Sequence, residues 1–259
     1  MNMAMINNKG GTGKTTTCVN VSAFLAMSGH RVLLVDLDAQ ASASLSLGVP
    51  YEELTPSVSD ILFDGFPVKE AVRATTTKNM DLLTGGMALA STDLMLADVP
   101  GRENKLAEAM AQISHHYDYI LFDCPPSLSM LSINALVAAD AYIIPVTAEY
   151  LALEGLISMI QAVEEVKKGM GIDPPLLGIV FAMVIPGLKS ARQIIRLVRE
   201  QYADQVFTTE VHRNVNLSEA PSFGMTIFQY APRSTGAGRY TDLAGEIQKR
   251  CGVRKKQRG

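Results

Sequence analysis

Lys9-Gly10-Gly11-Thr12-Gly13-Lys14-Thr15-Thr16 follows a short apolar run, residues 3–6, and leads into an amphipathic stretch over residues 16–27. Three glycines in four positions let the backbone turn its N–H groups toward one point, and the helix that follows aims the positive end of its dipole at the same place. The stretch reads as a nest for phosphates between a strand and a helix. Lys14 is placed to reach β- and γ-phosphates as a charge-assisted donor, and the Thr15 hydroxyl to sit on Mg²⁺. The general spacing G-x-x-x-x-G-K-[ST] is not met, because Asn8 stands five before Gly13; a second lysine, Lys9, stands at the front instead.

Outward from this loop, residues 31–36 (R-V-L-L-V-D) form a β-branched and leucine run that reads as a buried parallel strand. It ends in Asp36-Leu37-Asp38, and carboxylates at the C-terminal end of such a strand lie at the ligand crevice of an open α/β sheet. Residues 117–123 (Y-D-Y-I-L-F-D) repeat the pattern and run into Cys124-Pro125-Pro126-Ser127. An apolar strand ending in one aspartate suits a carboxylate that binds Mg²⁺ through water, followed by a proline-stiffened loop able to sense a γ-phosphate.

With these residues the chain resembles the ParA/MinD family of deviant Walker A ATPases, and within it the small, Soj-type ParA proteins, from Asn7 to about Leu243. The resemblance implies a single-domain α/β P-loop NTPase, a mostly parallel central sheet flanked by helices on both faces. It implies ATP and Mg²⁺ as cofactors, slow partner-stimulated hydrolysis, and a homodimer that sandwiches two ATP molecules. In such a dimer Lys9 crosses to the partner's nucleotide. Asp38 then orients the attacking water, making Lys9, Lys14 and Asp38 the catalytic set. Gly10, Gly11, Thr12, Gly13, Thr15 and Thr16 complete the phosphate loop, and Thr15, Asp36 and Asp123 surround the metal. Where relatives continue with proline, a small residue and asparagine, this chain has Ala39 and Ala41-Ser42.

Composition agrees with one α/β domain: 259 residues and 47% hydrophobic content suffice for a substantial core. No apolar run reaches the length of a membrane span and no signal peptide precedes the loop, so a cytoplasmic, nucleoid-associated protein is expected. Cys18, Cys124 and Cys251 lack the spacing of a disulfide framework or a zinc site. The net charge of −3 hides an asymmetry: residues 1–150 hold 8 Lys and Arg against 16 Asp and Glu, and residues 151–259 hold 15 against 10. A polyanion site belongs to the second half.

Residues 55–71 read as two short helices, with Ser57 as N-cap and Gly65-Phe66-Pro67 as the break. Residues 81–84 read as a strand, and 88–97 and 103–115 as helices parted by Pro100-Gly101. Residues 141–146 and 176–184 read as strands around a long helix over 151–169, and 235–251 as a closing helix. In the family, residues at the end of the 176–184 strand border the adenine, so Met183 either packs on the base or belongs to the core. The segment 212–224 resembles a family stretch beside the adenine and near the DNA-binding surface, which brings in Arg213; His212 replaces the usual proline there. In the helix over 190–202, Ala191, Ile194, Ile195, Val198 and Tyr202 fall within about 100° of one another, and Lys189, Arg192, Arg196 and Arg199 within about 80° on a neighbouring face. That row is either a solvated face or, with the basic tail Arg254-Lys255-Lys256-Gln257-Arg258, a phosphate-tracking surface. Residues 1–251 are thus expected to form the ATPase domain and 252–259 a basic tail.

The expected function is ATP-dependent dimerisation that binds double-stranded DNA without sequence preference and drives partition with a ParB-like partner. The alternatives are a ParA-like ATPase positioning a protein cargo, a MinD-like membrane-surface ATPase, and an iron-sulfur reductase. The membrane form requires an amphipathic C-terminal helix, yet Val253 is the one bulky apolar residue after Cys251. The reductase requires two suitably placed cysteines per subunit, and only Cys124 lies near a plausible position. The chain also lacks an N-terminal helix-turn-helix extension, so sequence-specific operator binding is not expected.

Overall fold

The computed structural model describes residues 1–150 and 152–252. Strands β1 (Asn2–Met5), β2 (Val32–Asp36), β3 (Arg73–Ala74), β4 (Met80–Leu83), β5 (Tyr119–Asp123), β6 (Ala141–Thr147) and β7 (Leu176–Ala182) form one sheet in the order β3-β4-β2-β5-β1-β6-β7. All neighbours are parallel except the short edge pair β3 and β4. The helices are α1 (Lys14–Met27), α2 (Ser42–Ser46), α3 (Val58–Asp64), α4 (Val68–Ala71), α5 (Thr92–Met95), α6 (Lys105–Ala111), α7 (Met130–Ala138), α8 (Ala152–Met170), α9 (Lys189–Tyr202), α10 (Val215–Glu219), α11 (Ile227–Tyr230) and α12 (Thr235–Cys251).

Strands buried on both faces must be apolar at successive positions, which is why they read as continuous runs. Alternation then divides each strand between two cores. Met3, Met5, Val32, Leu34 and Leu121 join α1 and α12 on one side. Ala4, Ile6, Leu33, Val35 and Phe122 join α3, α6, α7, α8 and α9 on the other. This is the expected fold class, with helices on both faces of a mostly parallel sheet.

Several elements follow the sequence closely. Ser57 caps α3 in a reciprocal box with Asp60, and Gly65 ends that helix in the left-handed region at φ 67°. Other stretches differ. Residues 88–97 are a 3₁₀ turn and the four-residue α5, and the helix expected over 103–115 is regular only from Lys105 to Ala111, with 3₁₀ turns at both ends. Helices α2 and α7 and the two-residue β3 were not distinguished in the sequence. The expected start of α8 at 151 and the basic residues 254–258 lie outside the described residues.

Candidate functional site

The loop between β1 and α1 forms at the C-terminal edge of the sheet. Gly11 and Gly13 adopt φ of 69° and 83°, which side chains disfavour, and a Cβ on Gly13 would lie 3.1 Å from that of Ala182 at the end of β7. Gly13 is also the N-cap of α1 and supplies no capping side chain, so the first amides of a 14-residue helix are left for a ligand. The loop is anchored from below: Asn7 donates to the Pro145 carbonyl at 2.7 Å and accepts from the Lys9 amide at 3.0 Å. Lys14 is buried, with Nζ donating to the Lys9 carbonyl at 2.9 Å. Desolvation lowers its pKa, against the raising influence of Asp123, Cys124 and Asp38. The Lys9 stem lies across the first turn of α8 of its own chain, where a Cβ on Gly155 would sit 3.3 Å from Lys9 Cε. Thr15 and Thr16 follow on the first turn of α1, both half-buried.

Sheet register sets the carboxylates. Asp36 pairs with Asp123 across β2 and β5, and Asp123 pairs with Met5 across β5 and β1, so both acids stand level with the start of the loop. Both are fully buried, but their surroundings differ. Asp36 accepts from the Ser44 amide at 2.8 Å, the Ser44 hydroxyl at 2.7 Å and the Asp38 amide at 3.1 Å. Burial raises its pKa to about 6 in spite of these bonds. Its oxygens accept these three bonds from the 37–44 segment, at the level of the loop where the sequence expects it in a supporting place near a metal. Neither oxygen of Asp123 has a hydrogen-bond partner among the described residues. Burial and then the Asp36 charge push its pKa well up; the Thr15 hydroxyl, which falls short of full hydrogen-bond geometry, and Lys14 pull it back.

A buried carboxylate without donors is costly, and a cation beside it removes that cost. Among the described residues no three His, Cys, Asp or Glu side chains gather as a metal cage. One carboxylate and one hydroxyl beside a phosphate nest is the donor set of Mg²⁺ held jointly with phosphate oxygens and water. Asp123 and Thr15 therefore fit that ion. Asp38, half-buried at the loop above Asp36, accepts from the Gln40 amide at 3.0 Å and stays close enough to influence Lys14.

A cavity of about 460 Å³ opens beside Gly13 and Thr16 and runs to His212, Arg213 and Asn214. Met183 stands on its wall at φ 54° and is 40% exposed, which places it in the cavity and not in the core. Arg213 reaches the same wall because residues 211–213 run parallel beside the chain just past the end of β7: the Val184 amide donates to the Val211 carbonyl at 3.0 Å and the Arg213 amide to the Val184 carbonyl at 2.9 Å. The remaining candidates lie on α9, whose first turn borders this cavity through Leu188 and Ala191. Ala191, Ile194, Ile195 and Val198 are buried, while Lys189, Arg192 and Arg196 are exposed and Arg199 is half-exposed. Arg196 pairs with Glu200 at 2.7 Å and Arg199 with Glu210 at 3.0 Å. Asn7, Ser44 and Gly85 are site supports that the sequence did not single out, since each has a partner far away in sequence: Pro145 for Asn7, and Ser44 and Gly85 for one another.

A family model described as an AAA domain matches residues 1–175. The sporulation initiation inhibitor protein Soj of Bacillus subtilis is 43% identical over 245 residues, covering 95% of this chain and 97% of that protein. The chromosome-partitioning ATPase Soj of Treponema pallidum is 39% identical over 252 residues, covering 97% and 98%. Among solved structures, cobyrinic acid a,c-diamide synthase from Mycobacterium smegmatis with bound ATP analogue and magnesium matches with a TM-score of 0.85 at 30% identity, covering 98% of this chain and 97% of that one.

Proposed function

The chain belongs to the ParA/MinD family of ATPases, and from that premise we propose that it is a nucleotide-driven switch in DNA partition. Two chains, each holding ATP and Mg²⁺ at residues 9–16, close on one another. The closed pair binds double-stranded DNA without sequence preference, and slow hydrolysis, stimulated by a ParB-like partner, releases it. Such a protein works on the nucleoid; no helix among the described residues is long and apolar enough to cross a membrane.

The observation that carries the reading is the buried Asp123 carboxylate beside the phosphate nest, without a hydrogen-bond partner among the described residues. Thr15 and Asp123 would hold Mg²⁺, which would supply neutralisation of the phosphate charge. Lys14 and the amides of residues 10–16 hold the phosphates and stabilise the charge that builds as the terminal phosphoryl leaves. Asp38 orients the attacking water, and Lys9 leaves the α8 groove to reach the partner's nucleotide. Met183 and Arg213 flank the base. Lys189, Arg192, Arg196, Arg199 and Arg213 track DNA phosphates.

The test is DNA binding by the purified protein with ATP, with ADP, and by Lys14→Ala with ATP. Tight binding only in the first case is expected. Equal binding in all three contradicts the switch.

A further inference from the structure

Asp38 sits on a turn that must hold a carboxylate steady, and the turn is fastened from three directions. The Leu37 amide donates to the Asp123 carbonyl at 2.9 Å. The Asp38 amide donates to Asp36 Oδ1 at 3.1 Å, and its carbonyl accepts from the Ala41 amide at 2.9 Å while Ala41 is held in the left-handed region at φ 52°. A non-glycine residue persists there only when its surroundings over-determine it. Helix α2 follows directly, and it meets the strand ends through Ser44, whose amide and hydroxyl both bond Asp36 Oδ2.

Ser44 is fully buried. Its hydroxyl donates to Asp36 Oδ2 at 2.7 Å and accepts from the Gly85 amide at 3.1 Å, joining the ends of β2 and β4. Gly85 leaves no slack: a Cβ there would lie 2.5 Å from the Asp38 carbonyl oxygen and 2.9 Å from Asp36 Cγ. Of the three bonds to Asp36, the one to the Asp38 amide is the longest. When the Ser44 hydroxyl is removed, the Gly85 amide loses its acceptor, Asp36 Oδ2 keeps one donor, and that carboxylate can turn away from Asp38.

We propose that Ser44 is a positioning residue for hydrolysis: through Asp36 on one side and Gly85 on the other, its hydroxyl fixes the turn that aims the Asp38 carboxylate at the attacking water. The role rests on the reading of Asp38 given above. The Ser44 hydroxyl is committed to Asp36 and Gly85, so its effect on the reaction runs through the Asp38 turn. It belongs to the geometry of the transition state, not to ground-state binding.

The experiment compares the parent chain with Ser44→Ala and, separately, Gly85→Ala, which strains the same turn from the β4 side. Steady-state hydrolysis is measured with Mg²⁺ and ATP, together with affinity for a non-hydrolysable triphosphate and for ADP with aluminium fluoride. The expectation is a kcat lower by roughly tenfold to a hundredfold, the cost of a small misplacement of a reacting group. KM and triphosphate affinity stay within about twofold, since ground-state contacts are untouched. Affinity for the aluminium fluoride complex falls in step with kcat. Parental kcat in both variants overturns the proposal, as does an equal loss of triphosphate affinity, which is the mark of a merely structural residue. Should one variant not fold, the other decides on the same criteria. An Asp38→Ala control separates the readings: parental turnover there refutes the role of Asp38, while lost turnover there with parental kcat in the two variants refutes Ser44 alone.

Discussion

Asp123 is a fully buried carboxylate with no hydrogen-bond donor among the described residues, an arrangement that costs stability until a cation arrives. Asp123→Asn should therefore stabilise the nucleotide-free protein by about 1–2 kcal/mol while abolishing Mg²⁺-dependent hydrolysis. For a chain of this size that is a rise in Tm of roughly 2–8 °C, read by calorimetry without ligand. An unchanged or lowered Tm would contradict a destabilising, unsatisfied carboxylate at this position. Asp38 carries the complementary expectation. Asp38→Ala should retain ATP binding and dimerisation but lose roughly 10² to 10⁴ in turnover, the range of a positioned general base; near-normal turnover would remove it from the mechanism. Lys14, Asp38 and Asp123 were legible in the sequence because each lies in a local pattern, a glycine turn or a strand end. Ser44 was not, because it is one of several serines in an alanine-rich run and what distinguishes it, Gly85, lies 41 positions away.

At the scale of elements, 3.6-residue periodicity identified both faces of α9, since four apolar side chains are enough to fix which way a 14-residue helix turns. It could not reveal that Arg196 and Arg199 already hold Glu200 and Glu210. The net charge that each stripe offers to DNA therefore lies between two and four. For a dimer this sets a loss of affinity between 50 and 200 mM salt of about 10² if the internal pairs persist and about 10⁴ if DNA displaces them. A salt titration of DNA binding distinguishes the two, and independence from salt would rule out the stripe. Changing Arg192, Arg196 and Arg199 together to glutamate should lower DNA affinity at least about 100-fold and leave ATP-dependent dimerisation intact; undiminished affinity would make the row a solvated face. Helices α2 and α7 escaped the sequence reading for different reasons. The five residues of α2 are too few to show a period, and α7, apolar on nearly every side, follows a Pro-Pro turn that reads as loop.

For the molecule as a whole, the sheet brings the ends of β1, β2 and β5 to one edge, and the phosphate loop, the orphaned carboxylate and the Asp38 turn meet there. The excess of positive charge in the second half of the chain finds part of its place on α9, next to the cavity that starts at Gly13. Fold class followed from the runs of buried strand residues, but the meeting of distant polar groups did not, since register and crossover order decide it. In the proposed switch, occupancy of this edge by an intact triphosphate governs whether two chains join. Light scattering of the purified protein with Mg²⁺ and a non-hydrolysable ATP analogue, with ADP, and without nucleotide tests it most directly. The mass of two chains is expected in the first sample and of one chain in the other two; the same mass in all three would rule out the switch.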